Sequence, residues 1–166
     1  MLGGCLHVPA LPKTPNGELI EIQTDAGFCN GHCDEFDIRV SSNGRGIVRV
    51  HHNAEITWFK AFRLTSAQFR SFHERLAPYR PVGDRFYIQP EACDRFATDL
   101  GGYHVTWSGA GPAGRLNVND GCIGKDADAA RAAVRAAVAM LGLKQLPDPS
   151  GGVVASTVMK AGVEQR

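Results

Sequence analysis

Between Asp34 and His52 the chain reads DEFDIRVSSNGRGIVRVHH. Phe36, Ile38 and Val40 alternate with Asp37 and Arg39, the period-two signature of a strand with one buried face. Asn43-Gly44 is a strong turn signal, and IVRVHH supplies a return strand, so the segment is predicted to be an antiparallel hairpin. A period of two cannot be satisfied by a helix, so this segment commits the chain to a sheet.

A second hairpin follows from the same logic. GGYHVTWSG places Tyr103, Val105 and Trp107 on one face, GAGPAG turns the chain, and RLNVNDGC returns with Leu116 and Val118 together. Glu18 to Thr24, ELIEIQT, is a further strand with partial alternation, and AEITWFKAFRL holds another near Ile56 to Phe59. Each hairpin leads toward a helix. Thr65-Ser66-Ala67-Gln68 fits a capping box, Leu64 and Phe69 sit at hydrophobic-staple positions, and Phe69, Phe72 and Leu76 share a face before Pro78 stops the turn. Asp126 or Asp128 is expected to cap the alanine-rich helix ADAARAAVRAAVAMLG, with Ala130, Val134, Val138 and Leu141 as its apolar stripe and Gly142 just past its end. Glu91 to Phe96 is expected to form a brief helical turn. Neither half can bury both its sheet face and its helix stripe alone. The expected fold is therefore α+β: one antiparallel sheet with two helices on one face, in ββα-ββα order. The expected divisions are a tether over 1–17, a single domain over 18–146 and a disordered tail over 147–166.

The formal charge of +1 lacks the concentrated basic face that nucleic-acid binding by counterion release requires, so no nucleic-acid partner is expected. No apolar run approaches the roughly 20 residues that span a bilayer. The N-terminal MLGGCLHVPALPKTPNGE nevertheless has Leu2-Gly3-Gly4 before Cys5, like the end of a bacterial lipoprotein signal, followed by a proline-rich tether. Cys5 is therefore the candidate lipidated residue, and a lipid anchor would be the only contact with a membrane.

Setting Cys5 aside leaves Cys29, Cys33, Cys93 and Cys122. An even number suits disulfides in an oxidising compartment. A Cys29–Cys33 bridge would close a very short loop, worth about 2 kcal/mol by chain entropy; a Cys93–Cys122 bridge, closing roughly 30 residues, about 3–4 kcal/mol. That pairing is expected, but spacing does not fix connectivity and the crossed pairings stay open. The competing reading makes Cys29, His32 and Cys33 a metal site for copper or zinc, or Cys29 and Cys33 a redox dithiol. Against a reactive thiolate, Asp34, Glu35 and Asp37 place negative charge beside Cys33.

The remaining polar residues show little chemistry. His51 and His52 are adjacent on a strand and point to opposite faces, so they are poorly placed to chelate one ion. His104 is expected on the outer face, His73 toward solvent, and Glu35 and Asp37 on a solvated strand face. Ser108 lies in WSGAG, which is no nucleophile elbow. GAGPAG joins two strands and is no phosphate cradle. No catalytic residue is assigned, which argues against an enzyme. Trp58, Phe59 and Phe62 form an aromatic patch and are the candidate partner surface.

GFCNGHCDEFDIRVSSNGRGIVRV followed by RLTSAQFRSFHERL, and later ATDLGGYHVTW and NDGC, resembles the bacterial domain-of-unknown-function family DUF6438 over roughly Glu18 to Gly142. The family pattern commonly has Cys-Pro with a tyrosine soon after; here Asp34 follows Cys33 and Phe36 is the aromatic. The resemblance implies a secreted or envelope-exposed bacterial domain, often part of a lipoprotein, and no known activity. The expectation is thus an uncharacterised, non-catalytic domain of the cell envelope, in the periplasm or anchored at the outer membrane. It would bind another protein or envelope component without a cofactor. The alternative is a periplasmic metal-binding or thiol-redox protein.

Overall fold

The computed structural model describes residues 17–28, 34–144 and 146–147. In chain order the elements are strands β1 (Glu18–Asp25), β2 (Asp34–Ser41), β3 (Arg45–His52) and β4 (Glu55–Arg63), and helix α1 (Ser66–Leu76). Then come β5 (Gly83–Tyr87), β6 (Arg95–Phe96), β7 (Gly102–Gly109), β8 (Gly114–Asn119), β9 (Cys122–Ile123) and helix α2 (Lys125–Met140). Seven strands form one sheet in the order β4-β3-β2-β1-β7-β8-β5, and β6 pairs with β9 as a separate ribbon. All neighbours in the large sheet are antiparallel except β5 and β8. The α+β expectation holds, with two runs of strands each closed by a helix and each run longer than the sequence pattern alone indicates.

β1 is the seam between the two hairpins. Ile20 faces Val40 on one side and Trp107 on the other, and Ile22 faces Ile38 and Val105. Directly paired residues share a face, so these apolar side chains form a continuous layer with Phe36, Val48, Leu116 and Val118. Phe72 and Leu76 of α1 and Ala130, Val134 and Ala137 of α2 complete the same core. The two helices also touch each other. Alanine on the buried side of α2 lets its backbone come close to the sheet. Trp107, fully buried, pairs with Gly114 on β8, where the Pro81 backbone packs so closely that a Cβ would stand 2.5 Å from the Pro81 carbonyl oxygen.

The local signals act as the sequence predicts. The Thr65 hydroxyl accepts from the Gln68 N–H at 3.2 Å, and Gln68 Oε1 accepts from the Thr65 N–H at 2.9 Å, closing the capping box. Gly142 adopts φ of 63° directly after the α2 C-cap, where a left-handed residue ends the helix. Gly44 has φ of 81° in the β2–β3 turn, and its N–H donates to Ser41 O at 2.9 Å.

Four details differ from expectation. Neither Asp126 nor Asp128 caps α2; Gly124 holds the N-cap position without a side-chain bond, and both carboxylates lie in the first turn, where they complement the helix dipole. The fully buried stripe of α2 is Ala127, Ala130, Val134 and Ala137, while Val138 and Leu141 are only partly covered, at the margin of the core. Glu91 to Phe96 is divided between a 3-10 turn at Pro90–Ala92 and the extended β6. β4 runs the full length from Glu55 to Arg63, and a register shift sets Val50 opposite Trp58 but His51 opposite Ile56, leaving Thr57 as the extra residue of a bulge. Of the expected tether and tail, all but Gly17 and Pro147 lie outside the described residues; β1 begins at Glu18, and Leu146 is a core residue.

Candidate functional site

The face of the sheet opposite the helices is polar, and its charges are organised by register. One row across the strands reads Asp84, Arg115, Thr106, Glu21, Arg39, Ile47, Ala61. The next reads Phe86, Asn117, His104, Gln23, Asp37, Arg49, Phe59. Opposite charges meet as cross-strand neighbours: Arg39 Nη2 lies 2.8 Å from Glu21, and Arg115 Nη2 lies 2.6 Å from Asp84. The Arg115 hydrogen bond, more than its charge, holds the Asp84 carboxyl below its ordinary value and raises the Arg115 guanidinium in turn.

Asp37 sits on this face as expected, but it is buried rather than solvated, with 5% of its surface exposed. Arg49 Nε donates to both its oxygens at 2.9 Å, Arg49 Nη2 lies 2.7 Å from Oδ2, and His51 Nε2 lies 2.7 Å from Oδ1. A guanidinium and an imidazole laid over a short carboxylate shield it from water. Glu35 accepts the Ala26 N–H at 3.2 Å and so ties the ends of β1 and β2. His52 Nδ1 lies 2.8 Å from Asp34, so the two adjacent histidines serve different carboxylates. His104 lies on the open face, 3.9 Å from Asp25. His73 does not simply face solvent: it reaches 3.2 Å from Glu18, whose other oxygen pairs with Arg80. Among the described residues no group of three or more His, Cys, Asp and Glu is arranged to hold a metal ion.

Cys93 and Cys122 form a disulfide, with Cα atoms 5.2 Å apart across 29 positions of sequence. It fastens the segment before β6 to β9, beside the paired Phe96 and Cys122. This removes the crossed pairings with Cys29 or Cys33. Cys5, Cys29, His32 and Cys33 lie outside the described residues, but both flanks of the 29–33 segment are anchored. The Phe28 N–H donates to Asp99 O at 2.9 Å. Gly27, at φ of 63°, packs so closely on the backbone of residues 99–101 that a Cβ would stand 2.5 Å from the Gly101 nitrogen. Asp34 opens β2 on the other side.

The three aromatics of the candidate partner surface do not share one face. Trp58 and Phe62 pair with Val50 and Gly46 and pack against the core from the helix side, whereas Phe59 pairs with Arg49 on the open side. They share an edge instead: β4 is one of the two outermost strands of the large sheet, and its aromatics, all partly buried, flank it above and below.

Arg131 was concealed in an alanine-rich helical pattern. Its Nη1 lies 2.7 Å from Asp128, its Nη2 donates to Asn119 O at 2.9 Å and Cys122 O at 2.5 Å, and its Nε stands 2.9 Å from Asp120, off the hydrogen-bond line. Arg135 reaches the same Asp120 oxygen at 3.2 Å. These contacts join α2 to the β8–β9 turn next to the disulfide. The spacing of Asp128 and Arg131, three apart on a helix, was the one signal available. Comparison with models of known protein families, with curated proteins and with solved structures gave no match for this chain.

Proposed function

We propose that this chain is a non-catalytic cell-envelope domain that binds a macromolecular partner through the outer edge of its sheet. The observation that carries the reading is β4, a nine-residue edge strand with Trp58 and Phe62 on one side and Phe59 on the other. An edge presents unpaired backbone N–H and C=O groups, and aromatics beside them supply apolar contact area. The paired charges of the open face support binding over catalysis, since they neutralise one another rather than converge on a common point. A photo-crosslinking amino acid in place of Phe59, in living cells, is expected to trap a discrete protein, whereas one in place of the exposed Thr98 is not. Equal yields at both positions would sink the proposal.

The same reading places the chain among DUF6438-like lipoproteins, in the periplasm or at the outer membrane, with Cys5 lipidated and no nucleic-acid partner. Mass spectrometry of the protein extracted from its own membranes is the test. A lipid-modified Cys5 at the mature N-terminus is expected, and an unmodified chain starting at Met1 contradicts it.

A second reading, a periplasmic copper or zinc site or a redox dithiol built from Cys29, His32 and Cys33, draws support from the disulfide. Cys93 and Cys122 satisfy each other, which leaves the C-x3-C pair to its own chemistry on a segment anchored at both flanks. Thiol counting decides between the two. A second disulfide favours the binding domain; free Cys29 and Cys33 with stoichiometric metal favour the second reading.

A further inference from the structure

We propose that the end of the sheet where β1 begins docks on an anionic lipid surface through Arg45, Arg63 and Arg70. The inference goes beyond the reading of β4 as a protein-binding edge and does not depend on it.

The formal charge of +1 conceals a separation of charge along the strands. The start of β1 and the end of β2 meet at one rim, where Leu19 pairs with Ser41, and the start of β3 and the end of β4 meet there too, where Arg45 pairs with Arg63. Helix α1 lies along the same rim. The Leu64 N–H, just before it, donates to Gly44 O at 2.8 Å, and His73, in its last turns, lies 3.2 Å from Glu18. At the opposite end of the sheet stand Asp25, Asp34, Glu35, Glu55 and Asp99. None of these five pairs with a lysine or arginine among the described residues.

The cations of the rim lack counter-charges. Arg39, Arg49 and Arg115, further along the open face, each hold a carboxylate. Arg45 and Arg63 lie on that face at the rim, are exposed and take part in no ion pair among the described residues. They oppose each other directly, an arrangement in which like charges repel. Arg70 adds a third guanidinium, also exposed and outside every ion pair of the described residues. Ser66, Arg70 and His73 share one flank of α1 by helical spacing, and the His73–Glu18 contact turns that flank toward the rim. Glu74 and Arg75 line the groove between α1 and α2 instead. Glu18, the carboxylate at the rim, has 10% of its side chain exposed and is already held by Arg80 and His73.

An anionic lipid surface suits this arrangement. The three arginines are spread along a rim rather than aimed at one point, so they match many mobile phosphate groups better than a single fixed anion. A guanidinium fork hydrogen-bonds phosphate oxygens as well as supplying charge. The separated charges orient the molecule on approach, with the arginine rim toward the surface and the carboxylates away from it. Ala110, Pro112 and Ala113 of the β7–β8 turn, exposed at the same end, bring no charge to oppose contact. Residue 17 enters β1 at this rim. A lipid on Cys5 would therefore hold the rim toward the membrane, although docking does not require it.

Vesicle co-sedimentation of the full chain carrying Cys5→Ser, so that no attached lipid contributes, is the test. Binding is expected to vesicles of equal parts phosphatidylglycerol and phosphatidylcholine, to weaken as salt is raised, and to be lost on phosphatidylcholine alone. Arg45→Gln, Arg63→Gln and Arg70→Gln are each expected to weaken binding about fivefold, the scale of one cation near an anionic membrane. Arg95→Gln makes the same charge change in β6, at the acidic end, and is expected to leave binding within about twofold of the wild type, because a cation there lies beyond the Debye length from the surface. Circular dichroism checks that each variant is folded. No binding to the phosphatidylglycerol vesicles, or an equal loss for Arg95→Gln and the three rim variants, overturns the proposal. Binding to soluble polyglutamate without binding to vesicles also overturns it, and points to an acidic protein at the rim. None of these results bears on crosslinking at Phe59 or on the mass of the native N-terminus, so the β4 reading and the lipidation of Cys5 stand or fall separately.

Discussion

At the residue scale, this protein buries several charges and pairs each of them. Arg131 is the extreme case, with 13% of its side chain exposed and contacts to Asp120, Asp128 and two carbonyl oxygens. Removing one member of a buried network leaves the others desolvated without a counter-charge, typically at a cost of about 3–5 kcal/mol. Arg135 still reaches Asp120, so Arg131→Met is expected to cost about 3 kcal/mol in urea denaturation, at the lower end of that range. A loss below about 1 kcal/mol, the scale of an exposed pair, would show that the network is solvated. Asp84 makes the opposite case, because its pair with Arg115 is exposed. The guanidinium depresses the Asp84 carboxyl, so the contribution is present above the ordinary value of 3.8 and is lost as pH falls through the lower folded-state value. Carboxyl-carbon NMR is expected to show Asp84 titrating below 3.8, and Arg115→Gln to return it toward that value. Titration at or above 3.8 in the wild type would contradict the contact.

At the scale of elements, the chain relies on local devices that short sequence windows reveal. The capping box at Thr65 satisfies two N-terminal amides of α1. Thr65→Ala is expected to cost about 1 kcal/mol, measured as a lower denaturation midpoint with an unchanged slope. The β2–β3 turn depends on Gly44 for two reasons: its φ of 81° and the 2.3 Å that would separate a Cβ from Leu64 O. Gly44→Ala is expected to cost at least about 1–2 kcal/mol, and an unaffected midpoint would mean that the turn relaxes freely. These devices were legible because each is complete within a few residues. β4 was legible only in part, because the extra Thr57 breaks the alternation that marks a strand. β5 was hidden more fully, since four of its five residues are exposed and carry no periodic apolar signal.

At the scale of the whole molecule, the disulfide and the seam at β1 hold distant segments together. Cys122 is fully buried in β9, and its bridge to Cys93 closes the segment containing the β7–β8 hairpin. The chain-entropy model assigns such a loop about 3–4 kcal/mol. Cys93→Ser is therefore expected to lower stability by about that amount, and reductant to cost the variant less than it costs the wild type. If reductant destabilises the variant as much as the wild type, the stabilising bridge lies elsewhere.

Residue order alone determined what short-range physics can encode: the period-two hairpins, the capped helix, the glycine at the end of α2 and the α+β class. It also marked Trp58, Phe59 and Phe62, but as a patch rather than as the two flanks of an edge. Only the tertiary structure decided that β1 lies between β2 and β7, that β5 runs parallel to β8, that Asp37 is covered by Arg49 and His51, and that Cys93 meets Cys122. The reason is the range of the interactions. Turns, caps and periodicity are settled among near neighbours in the chain, whereas strand order, burial of a charge and cysteine pairing depend on partners brought together only when the whole sheet closes over its core.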